Sequence, residues 1–343
     1  MKKQTFNLVI RALIGVAASL LIVGAMGLIT EAGIGGGNGT ILEQAGGVKA
    51  DATAMTVSGE AVTAEEYLYM VAYQAQSVAA YGITDLNTEL GEGMTAADYV
   101  ASQAESQVVA SAVLRGWAKE MGVTMTEEDL ADLQAQKDAY GDAAAFAQTL
   151  QLVGTSEKLF DDLMSQSALY NHLYEIYCGK DGAQRPTDDA LKALAVEHNL
   201  ASAYVLTAAA DAEVDMADYA ARLAAAENKA EAVAAFAAEL QCDGNVQTFD
   251  CCHSSPVNDA LMALSEGEVS AVVEDGGVQY VLLRAELDLD TVAYVHFEEE
   301  YGRRVSEAVV EYNAKVMDKI DVAAFYTKYT QLQQSLYNSL MQG

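Results

Sequence analysis

The chain has 343 residues, of which 52% are hydrophobic, and a formal net charge of −31 at neutral pH. A charge this negative repels phosphate backbones and argues against nucleic acid as a partner. It favours cationic or unfolded polypeptides, although a heavily solvated surface would account for it as well. The length exceeds one ordinary domain of about 100–200 residues and predicts two. Two prolines and many alanines predict a mostly helical body.

The N-terminus combines positive charge with a long apolar run. Lys2, Lys3 and Arg11 precede residues 12–30, which are uncharged and mostly apolar. A run of about 20 such residues can cross a bilayer as one helix, and the positive flank is expected to stay in the cytoplasm. We therefore predict a signal anchor at residues 1–31, a single N-terminal transmembrane helix, with the rest of the chain extracytoplasmic. A cleaved secretory signal ending near Ala50 is the alternative.

The next segment, residues 32–54, is predicted to be a flexible linker. Residues 33–47 are rich in glycine and have no periodic apolar pattern, as in a flexible tether. No cysteine precedes Cys178, so we do not expect a lipid anchor next to the apolar run.

Residues 55–199 carry repeated helix-start signals. A short strand and turn at 57–63 leads to Thr63, and apolar residues recur at spacings of three and four behind each start. Capping pairs predict a series of amphipathic helices joined by short loops. The predicted N-caps are Thr63 with Glu66, Thr95 with Asp98, Thr126 with Asp129, Thr155 or Ser156, and Thr187.

The pattern changes after residue 200. A β-type run at 202–207, an Ala-rich helix at 215–240, a strand at 246–249 and a helix with a hairpin at 257–284 predict an α+β segment at residues 200–288. Two further helices are expected at 304–318 and 321–341, the second capped by Asp321.

The hairpin segment resembles a known family. Gly267, Glu268, Val269, Ser270 and Val273 match the fixed letters that close a parvulin-type peptidyl-prolyl isomerase domain. The opening at 57–63 is similar to the start of bacterial extracytoplasmic foldases of the PrsA and SurA type. In that family a helical chaperone domain is interrupted by a parvulin domain and completed by a C-terminal helix. The resemblance covers roughly residues 55–335.

This resemblance implies a mainly α fold with an α+β insert. A discontinuous helical chaperone domain like the N-terminal domain of SurA would comprise residues 55–199 and 289–343. A parvulin-like domain with an FKBP-like sheet would occupy residues 200–288 between its two parts.

The resemblance also implies a set of site residues. The positions of the two family histidines hold Tyr204 and Tyr280, which we expect to stack or hydrogen-bond across the same sheet. Because neither is an imidazole, we expect isomerase activity to be weak or absent. The family's central Asp or Cys matches Asp243 or Cys242. The residues expected to contact substrate are Val257, Met262, His253 and Phe249.

Tyr67 and Tyr73 lie on neighbouring faces of the first predicted helix. Core packing accounts for them, and so does a cradle of adaptable apolar surface for unfolded chains. The sequence does not separate the two interpretations, core packing and a binding surface.

The cysteines suggest no cofactor. Cys242, Cys251, Cys252 and His253 match a zinc site in ligand type, but adjacent cysteines seldom bind one metal together. Outside the cytoplasm, a disulfide from Cys242 to Cys251 or Cys252, or free thiols, is the expected outcome. We predict neither a metal nor a cofactor, and find no phosphate-binding loop or nucleophile triad.

The sequence thus predicts a membrane-tethered extracytoplasmic chaperone that holds unfolded or nascent exported polypeptides. Two alternatives stay open, namely an active prolyl isomerase with an altered site and a structural adaptor subunit of a cell-envelope assembly. A homodimer is left open as well.

Overall fold

A computed structural model describes residues 39–342 of the chain, with side chains to residue 340. The predicted signal anchor and the first part of the predicted linker lie outside these residues. Within the described part, no helix combines the length and the apolar character needed to cross a bilayer.

The described chain divides into two compact units. The first contains residues 39–176 and 300–342, and the second contains residues 177–299. The first unit is therefore built from two stretches of sequence separated by the second unit.

The first unit is mostly helical. Its strands are β1 (Thr53–Val57), β2 (Glu60–Thr63), β3 (Glu89–Gly91), β4 (Met94–Thr95) and β9 (Val310–Tyr312). Its helices are α1 (Ile41–Gly46), α2 (Ala64–Ala80), α3 (Ala96–Glu120), α4 (Glu127–Asp138), α5 (Ala143–Val153), α6 (Glu157–Met164), most of α7 (Gln166–Tyr177), the end of α12 (Leu289–Ser306), α13 (Ala314–Met317) and α14 (Val322–Gln342).

The predicted helix starts are confirmed. Side chains of Thr95, Thr126, Ser156 and Thr187 each accept a hydrogen bond from a backbone N–H in the first turn of the following helix. Thr63 caps α2 in the same way, but Glu66 does not reach back to complete a capping box. Its carboxylate instead binds Arg115 of α3 through two hydrogen bonds of 2.8 and 3.1 Å.

Residues 41–54 do not form the predicted tether. Thr40 and Glu43 form a capping box that starts α1, and Ile41 and Leu42 are buried. The α1 helix contacts α2, α5 and α14. The tether prediction was wrong here because this short helix depends on apolar burial against distant elements rather than on its own propensity.

The predicted helix at 304–318 is also wrong. The α12 helix ends at Ser306, and β9 then pairs antiparallel with β1, which lies between β2 and β9 in a three-stranded sheet. The Asn313 side chain donates a 2.8 Å hydrogen bond to the carbonyl of Thr53 and so adds a contact to the β1–β9 pairing. Pairing with a strand about 250 residues away overrides the local helical pattern.

The C-terminal stretch completes the core of the first unit. Tyr301 and Tyr329 are buried, and their hydroxyls donate hydrogen bonds to the carbonyls of Ala110 and Val153 at 2.8 and 3.0 Å. The Tyr301 ring stacks on Trp117 with centroids 6.4 Å apart. Tyr301 and Tyr329 therefore belong to the same core as α3 and α5.

The second unit is an α+β structure. Its helices are the last residue of α7, α8 (Asp188–Glu197), α9 (Met216–Ala225), α10 (Lys229–Leu240), α11 (Pro256–Met262) and the start of α12. Its strands are β5 (Leu200–Ala209), β6 (Val246–Asp250), β7 (Val273–Asp275) and β8 (Val278–Arg284), in the antiparallel order β6-β5-β8-β7. The predicted helix at 215–240 is two helices, because Asn228 caps a new start at Lys229.

Candidate functional site

The four-stranded sheet of the second unit has two differently covered faces. On one face Ala201, Ala203 and Val205 of β5 and Leu282 of β8 pack with α11, which contributes Val257 and Leu261. We call this the α11 face. On the other, Leu206, Val281 and Leu283 pack against α9 and α10, and we call it the α9–α10 face. Side chains alternate between the two faces along each strand.

The two tyrosines at the family's histidine positions lie on opposite faces. Tyr204 packs on the α9–α10 face and Tyr280 on the α11 face. In the β5–β8 register, Tyr204 is opposite Leu283 and Tyr280 is opposite Thr207. The expectation that the tyrosines stack or hydrogen-bond across the sheet is therefore wrong. Tyr280 lies three residues before Leu283, the residue opposite Tyr204. Side chains an odd number of residues apart along a strand point to opposite faces of the sheet.

The α11 face brings together three residues predicted to form the site. Phe249 and Tyr280 are partly buried against the cluster, and Val257 is 7% exposed within it. Met262, at the end of α11, is 47% exposed. This face thus carries aromatic and aliphatic side chains that are partly or fully buried against the sheet, and the end of α11 beside it is exposed at Met262.

Hydrogen bonds hold the loop before α11. The Asn258 side chain donates to the carbonyls of Asp250 and His253 at 3.3 and 2.9 Å, and Ser255 caps α11. The His253 side chain itself is exposed. In the described part of the chain, no three His, Cys, Asp or Glu side chains are grouped so that they could hold a metal ion.

Asp243 and Cys242 do not join the α11 face. Cys242 packs on the α9–α10 face, and the exposed Asp243 accepts a 2.9 Å hydrogen bond from the N–H of Asn245. Of the outcomes that the sequence leaves open for Cys242, a disulfide to Cys251 is not formed, since Cys251 packs on the opposite face of the sheet and both thiols are free. Burial raises the pKa of the Cys251 thiol, so it stays protonated at neutral pH.

The letters that carry the family resemblance have structural roles here. The N–H of Gly267 donates to the carbonyl of Arg284 at 2.8 Å, and Gly267 has a φ of +79° that favours glycine. The N–H of Ser270 donates to the carbonyl of Leu282, and its hydroxyl accepts from the Leu282 N–H at 2.9 Å. The matched letters therefore attach the loop before β7 to β8, and they say nothing about proton transfer.

The two tyrosines of α2 have different environments. Tyr67 is 4% exposed, and burial raises its pKa to about 12. Tyr73 is only partly buried. Tyr67 is therefore a core residue, whereas Tyr73 has surface left for a ligand.

Sequence reasoning missed an exposed apolar group between α2 and α3. Tyr81, Leu90 and Met94 are 88%, 38% and 42% exposed in the connection at residues 81–95. The sequence signals the charge around this group but not its exposure, because residues 51–114 contain no lysine, arginine or histidine.

Comparisons with known proteins give a likeness to solved structures alone. No family model and no curated protein matches the chain. The foldase protein PrsA from Streptococcus pneumoniae is 18% identical, with a TM-score of 0.29 over 72% of this chain and 98% of that one. PrsA from Lactococcus lactis is 17% identical, with a TM-score of 0.30 over 81% and 98%. A SurA-like chaperone from Campylobacter jejuni is 13% identical, with a TM-score of 0.28 over 76% and 99%. These three similar structures are those of two PrsA foldases and a SurA-like chaperone.

Proposed function

We propose that the chain is an extracytoplasmic chaperone, or foldase, that holds unfolded exported polypeptides. The observation that carries the proposal is the α11 face, where Phe249 and Tyr280 offer partly exposed aromatic surface, together with the exposed thioether of Met262 at the end of α11. Such side chains adapt to many apolar partners without a fixed geometry. A surface of this kind suits transient binding of unfolded segments.

The same face supports binding better than catalysis. Rotation about a prolyl bond has an intrinsic barrier of about 18–20 kcal/mol, which a catalyst must lower through groups placed around the bond. Tyr280 stands opposite Thr207, while Tyr204 packs on the other face. His198, a further histidine of this unit, is bound to Glu299 at 3.1 Å. We therefore propose that this parvulin-like unit has weak or no isomerase activity.

The domain assignment follows the two compact units. The discontinuous first unit would be the helical chaperone domain, and residues 177–299 would be the parvulin-like domain. This moves the proposed boundaries outward from residues 200 and 288, since α8 and the first half of α12 belong to the second unit.

The proposal includes a membrane tether formed by residues 12–30, which would leave the remaining chain outside the cytoplasm. Protease added to intact cells should then digest residues beyond position 50 and spare the first dozen. Recovery of the full-length chain in the cytosolic fraction would contradict the tether and leave the chaperone proposal to be tested separately.

The chaperone proposal is tested by aggregation suppression. The full chain should reduce light scattering of a chemically denatured client protein diluted into buffer. Met262→Ser at the end of α11 should raise the concentration needed for half suppression by about threefold. Val196→Ser is the matched control, because Val196 is a 79% exposed apolar residue of the same unit on α8. An equal effect of both variants, or no suppression by the wild type, would contradict the proposal.

The isomerase alternative is tested with a proline-containing peptide. The wild type should accelerate cis–trans isomerisation little or not at all, and Tyr280→His alone should not restore it while Val257 remains on the same face. Strong catalysis by the wild type would replace the proposed role with that of an active isomerase.

A further inference from the structure

The connection between α2 and α3 exposes apolar side chains. Tyr81, Leu90 and Met94 are 88%, 38% and 42% exposed, which is high for side chains of this size. They all belong to residues 81–95, and Leu90 and Met94 lie in the β3–β4 hairpin. Exposed apolar surface that is rimmed by polar residues marks interaction sites more often than isolated apolar residues do.

Hydrogen bonds fix this connection against the start of α3. The N–H of Ala97 donates to the carbonyl of Leu86 at 2.8 Å, and the N–H of Ala96 donates to the carbonyl of Thr88 at 2.9 Å. Leu86 is 3% exposed and anchors the segment to the helices. These hydrogen bonds fix the backbone that carries the exposed apolar side chains. A fixed backbone lowers the entropy cost of binding a partner.

The surroundings of the connection are strongly acidic. Residues 51–114 contain nine Asp or Glu residues and no Lys, Arg or His. Four of these carboxylates lie in the connection or in the first turn of α3, and in the described part of the chain none of the four forms an ion pair with a basic side chain. They are Asp85, Glu89, Glu92 and Asp98.

Two of these four carboxylates, Asp85 and Asp98, keep their negative charge to lower pH than an ordinary aspartate. Hydrogen bonds from Asn87 hold the pKa of Asp85 below its usual value, and hydrogen bonds from Thr95 do the same for Asp98. Some acids of the first unit that lie farther from the connection have basic partners, for example Glu60 with Lys119 and Glu66 with Arg115, whereas among the described residues no acid of the connection has one. Carboxylates without a basic partner thus lie in the same segment of the described chain as the exposed apolar side chains.

We infer that residues 81–95 bind a polypeptide segment in which apolar side chains alternate with lysine or arginine. The apolar groups match Tyr81, Leu90 and Met94, and the cations match the carboxylates around them. A second copy of this chain is a poor occupant, since it carries the same acidic connection and a net charge of −31. The inference rests on the proposed chaperone function and names the client segments that the first unit would select.

Peptide binding to the full chain tests the inference. A fluorescein-labelled peptide that alternates Leu and Phe with Lys is titrated by fluorescence anisotropy, beside one with Glu for Lys and one with Ser for the apolar residues. We expect the Lys peptide to bind at least about tenfold more tightly than either, with affinity falling as salt rises.

Two sets of variants locate the binding. Tyr81→Ser with Leu90→Ser and Met94→Ser should raise the Kd of the Lys peptide about tenfold, as expected for the loss of apolar anchors. Leu130→Ser is the control, because Leu130 is a 53% exposed apolar residue of the same unit on α4. It should leave the Kd unchanged.

The charged part is tested by Glu89→Gln with Glu92→Gln. Both side chains are exposed, so folding should be preserved and is checked by circular dichroism. This variant should weaken the Lys peptide about threefold and flatten its salt dependence, while Asp132→Asn with Glu175→Gln, two exposed acids elsewhere in the unit, should not.

The outcomes separate this inference from the proposed function. Equal binding of the Lys and Glu peptides, or a Kd of the triple variant within about twofold of the wild type, overturns the inference even when the wild type suppresses aggregation. A Kd raised about tenfold in the triple variant and about threefold in the Gln variant, with both controls unchanged, supports it. Failure of the wild type to suppress aggregation overturns the chaperone function, whatever the peptides do.

Discussion

Deleting the C-terminal stretch should unfold the first unit, whereas deleting the whole second unit should leave the first unit folded. The first perturbation ends the chain after Glu299. The second removes residues 177–299 and joins Ile176 to Glu300 through a flexible linker. The two variants test whether the sequence-distant parts of the first unit form one cooperative structure.

The cost of the truncation follows from the side chains that it removes. Tyr301, Phe325, Tyr329 and Leu340 are each no more than 3% exposed. Burial of one such side chain stabilises a fold by about 1.5–3 kcal/mol, so four contribute about 6–12 kcal/mol as an upper estimate. A domain has a total stability of about 5–15 kcal/mol. The truncated unit also loses β9, and little or no stability should remain.

The linker length follows from the contact between Tyr170 and Tyr301, whose ring centroids are 5.6 Å apart. Ile176 lies about 9 Å beyond Tyr170 along the helix, at about 1.5 Å per residue. A Gly/Ser linker of about eight residues has a root-mean-square span of about 15 Å and can join Ile176 to Glu300.

Circular dichroism melts and urea titrations of both variants decide between the outcomes. The excised variant should melt cooperatively with strong helical signal, and the truncated variant should show no cooperative transition in its first unit. A truncated variant as stable as the wild type beside an unfolded excised variant would refute the reasoning that the C-terminal stretch completes the first unit.

Three further predictions concern the first unit. Arg115→Met should lower the free energy of unfolding by about 3–5 kcal/mol in urea titrations, because Glu66 would be left charged and buried, and the loss should shrink as the pH falls and protonates it. Adding Glu66→Gln should recover most of the loss. Hydrogen bonds lower the pKa of Asp129 to about 2, so its contribution is present above the unfolded value near 3.9 and lost as pH falls through 2. Asp129→Asn should therefore lower the urea midpoint at pH 7, and the two midpoints should converge near pH 2. Gly154→Ala should destabilise more than Gly122→Ala, since both glycines have positive φ but a Cβ at 154 would lie 2.5 Å from the Ile41 side chain, whereas a Cβ at 122 meets no atom within 4 Å.

Local signals determined much of the helical structure in advance. The caps at Thr95, Thr126 and Thr187 were predictable, because a cap needs only a side chain and the backbone three residues ahead. The turn at Gly276 and Gly277 in the predicted hairpin was also predictable locally, because glycine is the residue that adopts positive φ most readily. Both glycines have positive φ in the structure. The four strands of the second unit were each expected near their observed positions for the same reason.

Tertiary structure alone decided three other features. Residues 310–312 became a strand because β1 offered an unpaired edge, and α1 formed because Ile41 and Leu42 had a core to enter. Tyr204 and Tyr280 were separated by the register of β5 against β8, although each was correctly placed on its strand. A sequence fixes the alternation along one strand, but the face that two strands share depends on how they align, and that alignment is set by the packing of the whole sheet.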